Sequence, residues 1–301
     1  MTGVSGTGRV PPTASRASGA STAPARKPRP RSAGTPFAYL AGLVVVGVTV
    51  IPLLFVVVGG FRTTAQINDS PAGLPHPWVW SNYADILTSS SFWRFMANSA
   101  LIALVDTGLA VILGSMAAFA LSRYAFWGRE AVYALFTVGL LFPIAAAALP
   151  LYLLLQRIGL LENPLGVAIP EAAFALPITI VILRPFMQSI PTELEDAAVM
   201  DGAGRFGFFM RILLPLSRPA LVTVAVLAFV TSWNAYLLPL LVFTDQSHFT
   251  LPLGVATFQS EHTENTAAIL AFTALSMVPA LAFFVFAERR IVGGLTGAVK
   301  G

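Results

Sequence analysis

The sequence predicts an all-α, polytopic membrane protein with six transmembrane helices. Three observations lead there. First, the chain is 56% hydrophobic and 11% charged, with a mean hydropathy of +0.76. A soluble domain carries about 25% charged residues, so this chain has too little polar surface to cover a water-facing exterior. Second, six apolar runs approach or exceed the ~20 residues that a helix needs to cross a bilayer. Third, the basic residues collect on one side of those runs.

Taken in order, residues 1–36 are rich in Pro, Gly, Ser, Thr and Ala. They hold six basic residues (Arg9, Arg16, Arg26, Lys27, Arg29, Arg31) and no acidic one. Such a stretch has no apolar face to bury and is expected to be a disordered tail, set apart from a membrane domain over residues 37–301. Basic residues ahead of an apolar run also fit a targeting peptide. Residues 37–58, however, are uncharged over more than a signal's apolar region, with no clear small-x-small cleavage pattern at their end. They are read as the first span. The others are residues 98–121, 131–155, 166–183, 220–243 and 267–287. The fourth is the shortest and has room to extend into residues 185–189. Pro143, Pro150, Pro170, Pro177, Pro239 and Pro279 are expected to break these spans locally. Such breaks are tolerated where neighbouring helices or a water-filled cavity satisfy the freed carbonyls.

Six spans leave both termini on one side. That side carries the tail, Arg123, Arg129, Arg184, Arg205, Arg211, Arg218, Arg289, Arg290 and Lys300, which is 15 of the 18 basic residues. Arg62, Arg94 and Arg157 lie opposite. Both termini and the segment 189–216 are therefore expected in the cytoplasm. The formal charge of +4 reports topology in this reading, not a nucleic-acid surface. There is no cysteine, hence no disulfide and no thiolate metal site. His76, His248 and His262 fall between spans without metal-ligand spacing, so no cofactor or metal is expected.

The outer segments differ. Residues 62–96 carry Pro71, Pro75, Pro77, Trp78 and Trp80 and end in Phe92 and Trp93; tryptophans there favour the headgroup region. Residues 244–266 are polar, with Asp245, Glu261 and Glu264. Either segment is placed to meet a binding protein or simply to connect spans. Within the membrane, polar groups are few. Asp106 lies about two turns into the second span, and Glu171 about one turn into the fourth, near enough to an interface to reach water. An intramembrane carboxylate marks a functional site or a buried pair. These two read as isolated from one another. Asn234 and Tyr236 in the fifth span offer the donors and acceptors that a neutral polyol needs, and Asp106 is the one deep countercharge for a cationic solute.

The polar island between the fourth and fifth runs reads as helix, turn, helix. Pro191 suits a first helical turn, and Glu193 and Glu195 sit at the positive end of the helix dipole. Leu194, Ala197, Ala198 and Asp201 recur at three- and four-residue spacing, giving one small, smooth side. Gly202 can take the left-handed conformation that ends a helix. A second helix is expected from Arg205 to Leu213, stopping near Pro215. The segment either fits a groove in a partner or packs on the protein's own surface.

Here a resemblance enters. Glu195, Asp196, Ala197, Ala198, Asp201, Gly202 and Ala203, followed by residues 212–215 ending in Pro215, resemble the EAA loop of bacterial ATP-binding-cassette importer permeases. The family's glutamate before the two alanines appears here as Asp196, which keeps the charge on a shorter stem. Residues 98–104 and 114–123 are similar to the second span of maltose-type carbohydrate permeases. Residues 232–239, with Asn234 and Tyr236, resemble a span that lines the translocation pathway in sugar importers. The end, residues 294–301, is similar to a tail that reaches towards the ATPase dimer, in a shortened form. The resemblance covers residues 37–301. It implies a type I importer permease architecture in the bacterial inner membrane, with both termini cytoplasmic. It further implies a coupling helix docked on an ATP-binding-cassette ATPase, two such subunits, a second permease subunit and an extracytoplasmic solute-binding protein. The implied solute is a sugar or oligosaccharide; polyamines, peptides or another small solute remain the alternative, because the loop is shared.

Other classes fare worse. Residues 202–207 match G-x-G-x-x-G, but they follow a helix and no parallel sheet is available. No G-x-x-x-x-G-K-[ST] stretch occurs, and no nucleophile–base pair stands out, so the chain is not expected to hydrolyse ATP or to be an enzyme. A stand-alone secondary transporter wants a connected network of intramembrane titratable groups. A membrane anchor needs fewer spans.

Overall fold

The computed structural model describes Gly3, residues 35–258 and residues 265–298, with the backbone alone from 286 onward. Nearly all of the expected tail, Glu261 and Glu264, and the last residues of the chain lie outside the described residues. All regular structure among those described is helical. The chain divides into Met1–Val48, which holds the start of α1 (Thr35–Gly59), and Thr49–Gly301, which holds the rest.

In the second unit the outer segment after α1 is folded, not slack. It forms α2 (Thr64–Asp69), opened by a capping box between Thr63 and Gln66, and α3 (Ser81–Thr88). The buried Arg62 side chain donates to Pro71 O at 3.1 Å, Ser70 O at 2.6 Å and Gln66 O. Phe61, Trp78, Trp80 and Tyr83 stack beside it.

The centre is α4 (Ser90–Arg123) against α7 (Leu165–Gln188). Gly114 makes the close approach possible, since any side chain there would run into Thr179. Around this pair lie α5 (Arg129–Gly139), α6 (Ile144–Arg157), α11 (Arg218–Trp233), α12 (Leu237–Val242) and α14 (Thr266–Ala298). The turn after α12 leads through α13 (Leu251–Gly254), and Asn98 on α4 holds it by donating to Ser247 O and Phe249 O. Outward-facing Leu101, Leu104, Ile112, Leu135, Leu141 and Leu281 are exposed. An apolar exterior of this kind is stable against lipid chains.

Among the described residues, four helices are long and apolar enough to cross a membrane: Ala38–Gly59, Ser90–Arg123, Leu165–Gln188 and Thr266–Val285. Two bent pairs bring the number up to six if each is one span. The third expected span is one of them, α5 and α6 meeting at 99° across residues 140–143. Pro143 caps α6 there. The other joins Arg205–Leu216 to Arg218–Trp233 at 79°, so it takes in the polar island as well as α11. The expected fifth span, residues 220–243, is itself divided between α11 and α12 at Asn234–Tyr236, ahead of Pro239, which falls in the first turn of α12 where its missing N–H has no partner to lose. The other prolines do not interrupt their helices: Pro150 stays within α6, Pro170 and Pro177 within α7, and Pro279 within α14. A proline removes one backbone bond, and the packing around a buried helix outweighs that loss.

Candidate functional site

The polar island forms α8 (Glu193–Met200), then α9 (Arg205–Phe208), a π-helical turn (Phe209–Leu213) and α10 (Leu214–Leu216). Glu193, Glu195 and Asp196 lie in the first turn of α8. Its end is a Schellman motif: Gly202 has φ 81°, Gly202 N–H donates to Val199 O at 2.9 Å and Ala203 N–H to Ala198 O at 2.8 Å. The second helix does not stop before Pro215. The π-helical turn shifts the hydrogen-bond register ahead of the proline, and the bend of 79° to α11 comes at Ser217.

The small, smooth face is divided between two tasks. Ala198 is buried, packed with Ala118 of α4, Leu183 and Met187 of α7, and Phe208, Phe209 and Leu213. It anchors α8 to the protein's own core and is unavailable to a partner. Ala197, Asp196, Asp201 and Gly202 are exposed, and with them Leu194, Val199, Met200 and Phe206, the last two 87% and 69% exposed.

Two arginines bind this segment to the central pair. Arg123, ending α4, donates through Nη2 to Met187 O at 2.9 Å and Ile190 O at 2.8 Å, at the end of α7. Its Nε lies 4.0 Å from Glu195 Oε2 on α8, and its guanidinium faces the Phe208 ring. Arg184 on α7 returns the contact: Nε donates to Leu121 O on α4 at 3.1 Å, Nη2 to Glu130 Oε1 on α5, and the guanidinium lies 4.0 Å from the Tyr133 ring centre.

A cavity of about 390 Å³ opens between α7 and α11. Asp106, Glu171, Thr231, Ser232 and Tyr236 supply its polar groups, and no basic residue lines it. Ser232 Oγ donates to Glu171 Oε2. Asp106 Oδ1 and Glu171 Oε1 have no hydrogen-bond partner among the described residues. Glu171 is buried, and the two carboxylates are not isolated from one another: they line one cavity. Asn234 faces a separate cavity of about 420 Å³, lined with Trp233, Thr273 and Ser276 among others. Its amide donates back to Val230 O at 2.7 Å.

Residues 110–292 match the family model described as binding-protein-dependent transport system inner membrane component. The chain belongs to that family. It is a multi-pass membrane permease component. Among similar curated proteins, a diacetylchitobiose uptake system permease protein of Streptomyces coelicolor is 34% identical, over 83% of each chain. A trehalose transport system permease protein of Mycobacterium tuberculosis is 35% identical over 85% of this chain and 94% of its own. An arabinooligosaccharides transport system permease protein of Halalkalibacterium halodurans is 33% identical over 84% and 92%. Among solved structures, a chain of a bacterial ABC transporter importing the acidic polysaccharide alginate superposes with a TM-score of 0.72. It is 21% identical, covering 86% of this permease and 98% of that chain, and so supports the fold.

Of the residues singled out in the sequence, the permease fold joins Asp106 and Tyr236 in one cavity and sends Asn234 to another. Glu171, Thr231 and Ser232 complete the first cavity, and no spacing rule would have paired α4 with α7 in that register. Arg123 and Arg184 were legible only as charges that report topology.

Proposed function

We propose that this permease is the membrane subunit of an ATP-driven importer for a neutral sugar or oligosaccharide, docking on an ATP-binding-cassette ATPase through α8. The observation that carries the reading is the construction of α8. Ala198 anchors one side in the core, while Asp196, Ala197, Asp201 and Gly202 stand free beside exposed Leu194, Val199 and Met200. An apolar patch rimmed by carboxylates fits a partner's groove. Two ATPase subunits, a second permease and an extracytoplasmic solute-binding protein complete the assembly. ATP hydrolysis belongs to the ATPase subunits. Both termini, Glu195, Ala203 and Pro215 lie on the cytoplasmic side of the inner membrane, as the basic-residue asymmetry supports.

The solute passes the cavity of Asp106, Glu171 and Tyr236. Its free carboxylate oxygens accept hydroxyl protons, and the exposed Tyr236 ring offers a face to a pyranose. A phosphate is disfavoured, because no basic residue lines the cavity. The permease's relatives are named for diacetylchitobiose, trehalose and arabinooligosaccharides, which supports a carbohydrate. Asn234 belongs to the pathway through the neighbouring cavity.

One observation favours a second reading. Two carboxylates in a cavity without a basic partner also suit a polyamine. Uptake by the purified complex in proteoliposomes separates the two. A sugar importer accumulates oligosaccharide, and Asp106→Asn lowers the rate by about tenfold without abolishing it, the low end of what one hydrogen bond to a charged group is worth. Accumulation of spermidine alone, abolished by Asp106→Asn, would hand the assignment to the polyamine. Copurification identifies the ATPase and second permease in the same preparation.

A further inference from the structure

Two deeply buried cations among the described residues, Arg123 and Arg184, are spent on helix ends. Each guanidinium caps the carbonyl end of the other's helix. Arg123 projects from α4 onto the last carbonyls around α7, at Met187 and Ile190. Arg184 projects from α7 onto Leu121 O, within the last turn of α4. The side chains are only 3% and 8% exposed. A helix end leaves its last carbonyls without internal partners, and a cation there satisfies both their hydrogen-bonding and the negative end of the dipole. Ordinary caps stabilise their own helix, whereas these two tie neighbouring ends together.

Each guanidinium has a second attachment. Arg123 is also placed against α8 and α9, through Glu195 at 4.0 Å and the Phe208 ring. Arg184 also holds α5, through Glu130 and Tyr133. Glu130 receives Arg129 as well, at 3.0 Å, and Arg205 lies over Tyr124 just past the end of α4. The charged groups facing the pair are therefore Glu130, Glu195, Arg129 and Arg205. Arginine suits this task because its planar fork offers several fixed donors and a face for aromatic rings, while a lysine is a single flexible point charge.

We infer that Arg123 and Arg184 form a crossed clasp that makes the ends of α4, α5, α7 and α8 one mechanical piece. It transmits displacement of α8 to the two helices that carry Asp106 and Glu171. The inference rests on the proposed docking of α8 on an ATPase. Without the clasp, α8 would still be seated by Ala198 and the Schellman turn, but its movement would be taken up locally. Arg123 and Arg184 are thus positioning residues. They touch neither nucleotide nor solute, and they set how much of the ATPase's motion reaches the cavity.

The test uses the full transporter in proteoliposomes, with loaded binding protein on the outside. Three quantities are read: copurification of the ATPase, ATP hydrolysis, and solute accumulated per ATP. Arg123→Gln and Arg184→Gln are expected to keep the ATPase bound and hydrolysing while solute per ATP falls about tenfold, the scale of a typical coupling between sites. Arg123→Lys, which keeps a donor for the carbonyls but loses the fork, is expected to fall by a smaller factor. Assembled variants with unchanged solute per ATP would overturn the inference. Should Arg123→Gln fail to assemble, Arg123→Lys decides in the same way. Loss of assembly in all three would also overturn it, since the arginines would then serve the fold alone. A wild-type chain that brings no ATPase would instead sink the docking reading itself, an outcome visible before any variant is made.

Discussion

The α8 end and the cavity between α7 and α11 use buried charge in opposite ways. At the α8 end, Arg123 and Arg184 are distributed over carbonyls, rings and carboxylates of four helices. In the cavity, Asp106 and Glu171 keep an oxygen each without a partner among the described residues. Burying a polar group without a partner is costly, more so in a membrane. Charges whose contacts are spread over several elements act as fasteners, even though Arg123 Nε makes no hydrogen bond among the described residues. In the proposed function, carboxylates left with open acceptors are where the solute is received. The contrast turns residue chemistry into a division of labour: one end holds and moves, the other receives.

The widest break in that comparison would come from the α4–α7 contact, which both regions share. Gly114→Leu forces a branched side chain into Thr179, an overpacking worth about 1–3 kcal/mol or more. We expect the variant to lose thermal stability in detergent and to fail both ATPase copurification and uptake. A variant that keeps its melting temperature would show that α4 and α7 are not rigidly matched, and the two regions would then have no common frame.

A substitution at Gly202 should damage one region only. At φ 81° a β-branched side chain is strained by about 1–3 kcal/mol, so Gly202→Val opens the Schellman turn and misdirects the exposed face of α8. A Cβ added there would meet nothing within 4 Å beyond its chain neighbours, so strain and not crowding is the cause. The permease should insert normally, with an unchanged melting temperature within a few degrees, while ATPase stimulated by the loaded binding protein is lost. Equal loss of the membrane fold would mean that the α8 end is part of the core and not a docking element.

How much of this was legible beforehand follows the same division. Apolar length found the four long spans, because the bilayer imposes it on sequence directly, and Gly202 announced the end of α8 because few residues adopt its φ. The bends were harder. Six prolines were read as breaks, yet α7 runs straight through Pro170 and Pro177, since packing against α4 outweighs one missing backbone bond. Ala198 and Ala197 look alike in sequence and face opposite ways in the structure. Asp106 and Glu171 sit on different helices, and their meeting depends on the register of α4 on α7, which the close approach at Gly114 permits but no local pattern encodes. The arginines were counted for their charge, and counting could not show which carbonyls they cap.

The smallest expected effect is also the sharpest probe of the cavity. Among the described residues, Ser232 Oγ is the one side-chain donor that reaches Glu171, and Ser232 is buried on α11. Ser232→Ala removes that donor and leaves both Glu171 oxygens open to the cavity. A net hydrogen bond is worth about 1 kcal/mol, so uptake should change by roughly fivefold. The direction is informative. If Ser232 merely satisfies one Glu171 oxygen, its loss costs stability, and solute handling stays as it was. If the cavity is a resting place for hydroxyl donors, a second free acceptor alters the solute concentration that half-saturates uptake, with ATPase copurification and solute per ATP unchanged. A changed yield of solute per ATP would place Ser232 in the transmission path instead, and the separation between holding and receiving would no longer stand.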